Sequence, residues 1–294
     1  MELHSNKSAD LDLYNSQKEY KDKLIQLEIF LMFAIDISDA IGGIKVAPKE
    51  WHKVTASQLY TRLTISCTSI VRLLPWNRLF PTTNNFWDYF SVMSLCRNLI
   101  ENYHTFFYLC IQQINDEERD FRKLIISYHD NCEKYKIYKD SNAEQAILED
   151  FEKNLPFDRK AIEEHSFFIN LPKEHKNRIS KGESSMYLTN QDISNLIPFD
   201  TTNFRAIYKL LSNQIHCTPM SFARMDDARG RGQCTMTELS YMCICINICT
   251  LYLAAAILDM VQLFSERKTV IDKEKLSNVE LYFSGFQTNM KDNS

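Results

Sequence analysis

From Leu239 to Leu258 the sequence LSYMCICINICTLYLAAAIL carries no charge, and only Ser240, Asn247 and Thr250 interrupt its apolar character. A run of that length has two uses. It spans a bilayer, or it forms the central helix of a large helical core, apolar on every side because neighbours surround it. The other long runs of the chain are also rich in apolar residues, which favours the core helix. Thr235-x-x-Glu238 supplies a capping box ahead of the run, so a helix is expected from there to about Glu266. Flanking Arg229, Arg231, Arg267 and Lys268 do not separate the two uses.

The rest of the chain is consistent with helices. Only 6 Gly and 7 Pro occur in 294 residues, too few for the turns of an all-β sandwich or barrel. Apolar residues make up 45%, enough for a substantial core. The expected class is all-α: a single large bundle of long antiparallel helices with an irregular insertion. With 34 basic and 38 acidic residues the net charge is −4, which gives no sign of a general nucleic-acid-binding coat; no DNA partner is expected, and a local basic patch stays open. Of nine cysteines, Cys67, Cys96, Cys110, Cys243, Cys245 and Cys249 lie in apolar runs, where a thiol behaves as a small hydrophobe. The odd cysteine count and the lack of a signal peptide suggest a cytoplasmic protein. No C-x-x-C pair, Gly-rich nucleotide loop or G-x-S-x-G elbow occurs, so neither metal nor cofactor is expected.

Breakers and caps order the chain. Residues 1–15 are polar and expected to be disordered, and a helix is expected from near Ser16 to Ala40, stopped by Gly42-Gly43. A second helix runs from about Ala56 to Leu74 and ends at Pro75. Thr83-Asn84-Asn85 offers caps for a long helix from Phe86 to about Ile114. Asn115-x-x-Glu118 and Ser141-x-x-Glu144 begin two more helices. Residues 154–200 carry Pro156, Pro172 and Pro198 and suggest an irregular insertion or lid over the helical core spanning 16–266. A helix capped by Asp200–Asn203 runs to about Cys217, where Thr218-Pro219 ends it. A polar loop follows over 226–232, its Arg229-Gly-Arg-Gly232 suggesting a solvated linker, with contact to a phosphate as the alternative, and 267–294 looks peripheral.

Two helices carry polar residues that their surroundings do not explain. Arg97, Glu101, His104 and Tyr108 are spaced i, i+4, i+7, i+11, so at about 100° per residue they share one face. Arg205, Tyr208, Ser212 and His216 share a face of the later helix in the same way. A charge on a buried helix is costly unless paired and hydrogen-bonded. Two readings follow: a polar network that fixes how two helices pack, or a site where arginine, histidine and tyrosine converge on a phosphate or other anion.

These residues carry two resemblances. Arg97-x-x-x-Glu101 followed by Tyr208-x-x-Leu211-Ser212-x-x-x-His216 resembles a widespread bacterial all-helical family of unknown function, over residues 56–262. That resemblance implies a fold and no reaction. Separately, Arg97-Asn98 and His104 are similar to the R-[polar]-x(4–6)-H pattern of the HEPN ribonucleases of toxin and antiphage systems. This second resemblance implies a homodimer that cleaves RNA without metal. Arg97 would stabilise the phosphate, Asn98 position it, and His104 serve as general acid or base. The leading expectation is therefore a cytoplasmic toxin- or phage-defence-type protein of this kind. The alternatives are a non-catalytic helical sensor or scaffold subunit of a multi-protein defence complex, and a membrane-inserted effector using residues 239–258.

Overall fold

The computed structural model describes residues 2–83, 85–216, 218–223, 225–226 and 229–287, with side chains from residue 11 on. Among them there is no strand, and the fold is all-α. The long helices are α1 (Glu2–Ile41), α2 (Trp51–Leu73), α3 (Tyr89–Phe106), α4 (Asp116–Asp140) and α5 (Gln145–Glu163). Short helices α6 (Ser166–Ile169), α7 (Lys173–Ser180) and α8 (Asn190–Leu196) follow. After them come α9 (Phe204–Ile215), α10 (Pro219–Phe222), α11 (Met236–Leu263) and α12 (Lys273–Ser284). The chain divides into two compact units, residues 1–111 with 194–294, and residues 112–193.

In the first unit α11 is the central helix, packing against α1, α2, α3 and α12. Leu239, Met242, Ile246, Cys249, Leu253 and Ile257 are all buried. Of its most apolar window, long enough to cross a membrane, 67% is buried inside the protein. Its start differs in detail from the expected capping box. The Glu238 carboxylate is buried and accepts from the Thr235 hydroxyl and from the Gly230 N–H at 2.6 Å, so it ties the preceding loop to the helix.

Helix α1 begins at Glu2, not near Ser16, and so occupies the segment expected to be a disordered tail. Polar side chains do not break a helix, and neither Gly nor Pro occurs before Gly42. Its buried face, Leu24, Leu27, Leu31, Ala34 and Ile41 among others, keeps helical spacing. Gly42 and Gly43 end it as expected, with Gly43 at φ 78°, a left-handed conformation that suits glycine. Buried Glu28 holds the connection after α2 through the Arg78 N–H at 2.5 Å and Arg78 Nε at 2.6 Å.

Helix α3 is shorter than expected. Asp88 caps it, accepting from the Ser91 N–H at 3.1 Å. Of the expected caps, Asn84 lies outside the described residues, and Asn85 accepts from the Trp76 N–H at 3.2 Å instead. At its far end the helix widens into a π-helical turn over Phe107–Ile111. The C-terminal segment is not peripheral: α12 packs on α11 and buries Leu276, Val279 and Phe283.

The second unit has its own core of Phe121, Ile125, Tyr128, Ile162, Phe168 and Ile179, drawn from α4 to α7. The irregular insertion expected over 154–200 is thus largely part of this unit, whose helices begin with α4. Asn115 caps α4 as expected, accepting from the Glu118 N–H at 2.8 Å. Glu144, not Ser141, is the N-cap residue of α5, while the Ser141 hydroxyl donates back to the Tyr138 carbonyl at 3.1 Å. Helix α5 runs through Pro156 without ending.

Candidate functional site

Helices α3 and α9 pack together, and their polar stripes meet at three residues. Arg97 Nη2 lies 3.0 Å from Glu101 Oε1 and donates to the Tyr208 hydroxyl at 3.1 Å. That hydroxyl donates in turn to the same Glu101 oxygen. The guanidinium also sits over the Tyr208 ring, 4.9 Å from its centroid, a cation–π geometry. The side chain of Arg97 is 19% exposed and that of Glu101 41%, so the group lies at the rim of the packed interface. Burial pulls the Arg97 guanidinium pKa down, but Tyr208 and Glu101 more than offset it and leave it raised. Burial, then the Glu101 carboxylate, raise the Tyr208 phenol. The charge of Arg97 is neutralised and the Tyr208 hydroxyl both gives and receives a bond. Such a closed circuit holds two helices together.

The other predicted residues are placed differently. His104 is 0% exposed. Its ring lies 5.2 Å from that of Phe204 and 6.0 Å from that of Tyr252, with the Tyr252 hydroxyl 3.4 Å from Nε2. Asn98 is exposed, one residue and so about 100° around the helix from Arg97. Tyr108 is buried in the π-helical turn. Arg205 is exposed in the first turn of α9. The Ser212 hydroxyl donates to the Tyr208 carbonyl at 2.6 Å, and so turns back on its own helix. His216 caps the end of α9 and is exposed. The structure therefore unites Arg97, Glu101 and Tyr208, and separates buried His104 from exposed Asn98 and His216.

Three features escaped the sequence reading. The second unit repeats the same three-residue arrangement. Buried Arg122 pairs with Glu118 one turn earlier, donates to the Tyr187 hydroxyl at 3.1 Å, and that hydroxyl donates to Glu118. Its signal was Glu118-x-x-x-Arg122, the reverse of Arg97-x-x-x-Glu101. In the first unit the Tyr103 hydroxyl donates to Asp259 Oδ2 at 2.9 Å. Burial pushes Asp259 up to about 7, with Tyr103 working against it. Asp259 is the first charge after the apolar run and is half-buried at the edge of the core. The third feature is a cavity of about 410 Å³ in the second unit, walled by His129, His175 and Arg178 among others. A sequence reading had no reason to join residues so far apart.

Among the described residues no three His, Cys, Asp or Glu side chains gather as metal ligands. The core thiols are poor nucleophiles: burial pushes Cys67 well up, and bonds to Cys245 and Cys249 do the same for Cys96. An apolar cavity of about 210 Å³ lies in the first unit, lined by Ile100, Phe204, Ile207, Ile248 and Tyr252 among others.

Comparison with known proteins gives one match. Neither the curated proteins nor the solved structures contain one. A family model matches residues 53–232, which include both polar stripes and the whole second unit. The chain belongs to that family, the family of unknown function DUF5677.

Proposed function

We propose that this protein is a non-catalytic helical binding subunit, a sensor or scaffold, in which Arg97, Glu101 and Tyr208 clasp α3 to α9. One observation carries the reading: His104 is 0% exposed and packed against Phe204 and Tyr252. A general acid or base must come within hydrogen-bond reach of the proton it moves. Here the imidazole faces aromatic rings, and the Arg97 charge is already answered by Glu101. A cytoplasmic location fits the placing of Cys67, Cys96, Cys245 and Cys249 as thiols in the apolar core. The burial of α11 favours a core helix over a membrane anchor. Toxin or antiphage activity, a homodimer and an RNA substrate all rest on the Arg97/Asn98/His104 spacing and make up the rival reading.

The test is incubation of the purified native chain with mixed cellular RNA, without metal, together with induced expression in growing cells. No cleavage and no growth arrest are expected. Metal-independent cleavage by the native chain that disappears in Arg97→Ala and in His104→Ala, both still folded by circular dichroism, overturns the proposal in favour of the ribonuclease.

A further inference from the structure

Within the unit of residues 112–193, the cavity of about 410 Å³ is walled by α4, α7 and the loop that follows α7. Its size falls in the range of about 300–1,000 Å³ common to small-molecule sites. Two imidazoles line it, and both are fixed in the same way. His129 Nδ1 lies 2.8 Å from the Gly182 carbonyl, and His175 Nδ1 lies 2.5 Å from the Tyr187 carbonyl. A carbonyl oxygen only accepts, so each Nδ1 carries a proton and donates it. Each Nε2 is then the nitrogen left for a ligand.

The residues that carry these two carbonyls are themselves anchored. Gly182 closes α7 at φ 67°, its N–H donating to the Ile179 carbonyl at 2.8 Å. The Tyr187 hydroxyl is fixed by buried Arg122 and by Glu118. A wall arranged before any ligand arrives lowers the ordering cost of binding.

The chemistry of the wall mixes donors and acceptors. Arg178 supplies a guanidinium that makes no ion pair among the described residues, and Ser185 supplies a hydroxyl. The two Nε2 atoms and the Glu183 carboxylate are the acceptors. The nearby charges are Asp192 beside His175, and Glu133 beside His129, itself paired with Lys136. An anion without a proton, such as sulfate, satisfies the donors only and is repelled by Glu183. A phosphate monoester has a second pKa near 6, so about neutrality part of its population keeps a P–O–H that donates to an Nε2 atom or to Glu183, while its other oxygens receive the guanidinium. His129, His175 and Glu183 share the wall, but among the described residues no three such side chains gather as metal ligands.

We infer that this cavity binds the phosphate group of a small, soluble phosphomonoester through Arg178 and the Nε2 atoms of His129 and His175. The site belongs to the second unit and shares no residue with the α3–α9 clasp of the first, so the inference holds whether or not that clasp catalyses.

Isothermal titration of the full chain with inorganic phosphate, glycerol 2-phosphate and sulfate tests it. Phosphate and glycerol phosphate are expected to saturate, with sulfate weaker by about tenfold or more, a difference of about 1.4 kcal/mol. Arg178→Gln is expected to lose about tenfold in phosphate affinity. His129→Asn and His175→Asn keep a donor near the Nδ1 position and delete only Nε2, so each is expected to weaken phosphate and leave sulfate unchanged. No saturable binding to the native chain, equal binding of phosphate and sulfate, or native affinity in both Asn variants overturns the inference. Capture by phosphatidic-acid vesicles without binding of either soluble phosphate also overturns it.

Discussion

The Tyr208 hydroxyl donates to the very Glu101 oxygen that lies 3.0 Å from Arg97 Nη2, and it accepts from Arg97 at 3.1 Å. An Arg–Glu pair one helix turn apart is worth only about 0.2–0.5 kcal/mol when exposed. The tyrosine from α9 changes its character by joining two helices and by covering the guanidinium with its ring.

Tyr208→Phe keeps the ring over Arg97 and removes the hydroxyl, and with it the bonds to Arg97 and Glu101. A loss of about 1.5–2 kcal/mol in unfolding free energy is expected, the lower part of the range for a hydrogen bond to a charged partner because the group lies at the rim. Glu101 is 41% exposed, so water reaches Arg97 when the carboxylate goes, and Glu101→Ala is expected to cost about 1 kcal/mol. Urea unfolding of both single variants and the double variant closes a cycle. The expected coupling is about 1 kcal/mol, and simple additivity would mean that the three groups do not act as one.

How much of this was legible follows from where each interaction lives. The all-α class and the central place of the 239–258 run were readable, because breaker scarcity and apolar length are local properties. The start of α1 was misread, since polar residues do not by themselves break a helix and neither Gly nor Pro occurs before Gly42. The division at Gln112 was missed because the core of Phe121, Ile162 and Ile179 is assembled across distant segments, with no linker composition to mark it. In the site, the 3.6-residue period correctly put Arg97 and Glu101 on one face and Tyr208 on another helix. The same period also linked His104 and His216 to them, because it gives direction around an axis but not depth. His104 lies two turns farther along α3, where Phe204 and Tyr252 close over it.

His104 has a structural load to lose. Its ring fills space against two aromatic side chains at 0% exposure, so His104→Ala leaves a cavity. A cost of about 2–4 kcal/mol is expected from lost packing. Thermal unfolding read beside the RNA assay checks it. An unchanged melting temperature would place the imidazole outside the core and reopen the catalytic reading.

Asp259 gives a pH dependence with a definite sign. Burial lifts its carboxyl from 3.8 to about 7 in the folded chain. Below about pH 4 the group is protonated whether folded or unfolded, and it adds no cost. Between about 4 and 7 the unfolded chain releases the proton and the folded chain keeps it, so stability falls as pH rises. Above about 7 both forms are ionised and the full penalty applies. Asp259→Asn removes the titration and keeps an oxygen for the Tyr103 hydroxyl. The stability of this variant relative to the native chain is therefore expected to climb from pH 4 to 7 and then level off. A difference that is flat over that interval, measured by urea unfolding at each pH, would falsify the burial of this carboxylate.

Two glycines allow the packing around the phosphate-site wall to be measured. Gly43 and Gly182 both adopt left-handed conformations, φ 78° and 67°, so alanine at either position has a similar backbone cost of about 1 kcal/mol. Their surroundings differ. A Cβ at Gly43 meets nothing within 4 Å, whereas one at Gly182 collides with the Cys132 Sγ and comes within 2.6 Å of its Cβ. Gly43→Ala is therefore expected to cost about 1 kcal/mol, and Gly182→Ala about 1–3 kcal/mol more, the usual price of overpacking. Because the Gly182 carbonyl holds His129, the second variant is also expected to lose phosphate affinity. Adding Cys132→Ala removes the sulfur and restores only part of the stability, since the Cβ contact remains. Equal costs at the two glycines would mean that the turn after α7 does not pack on α4, and the wall that orients His129 would then have no support.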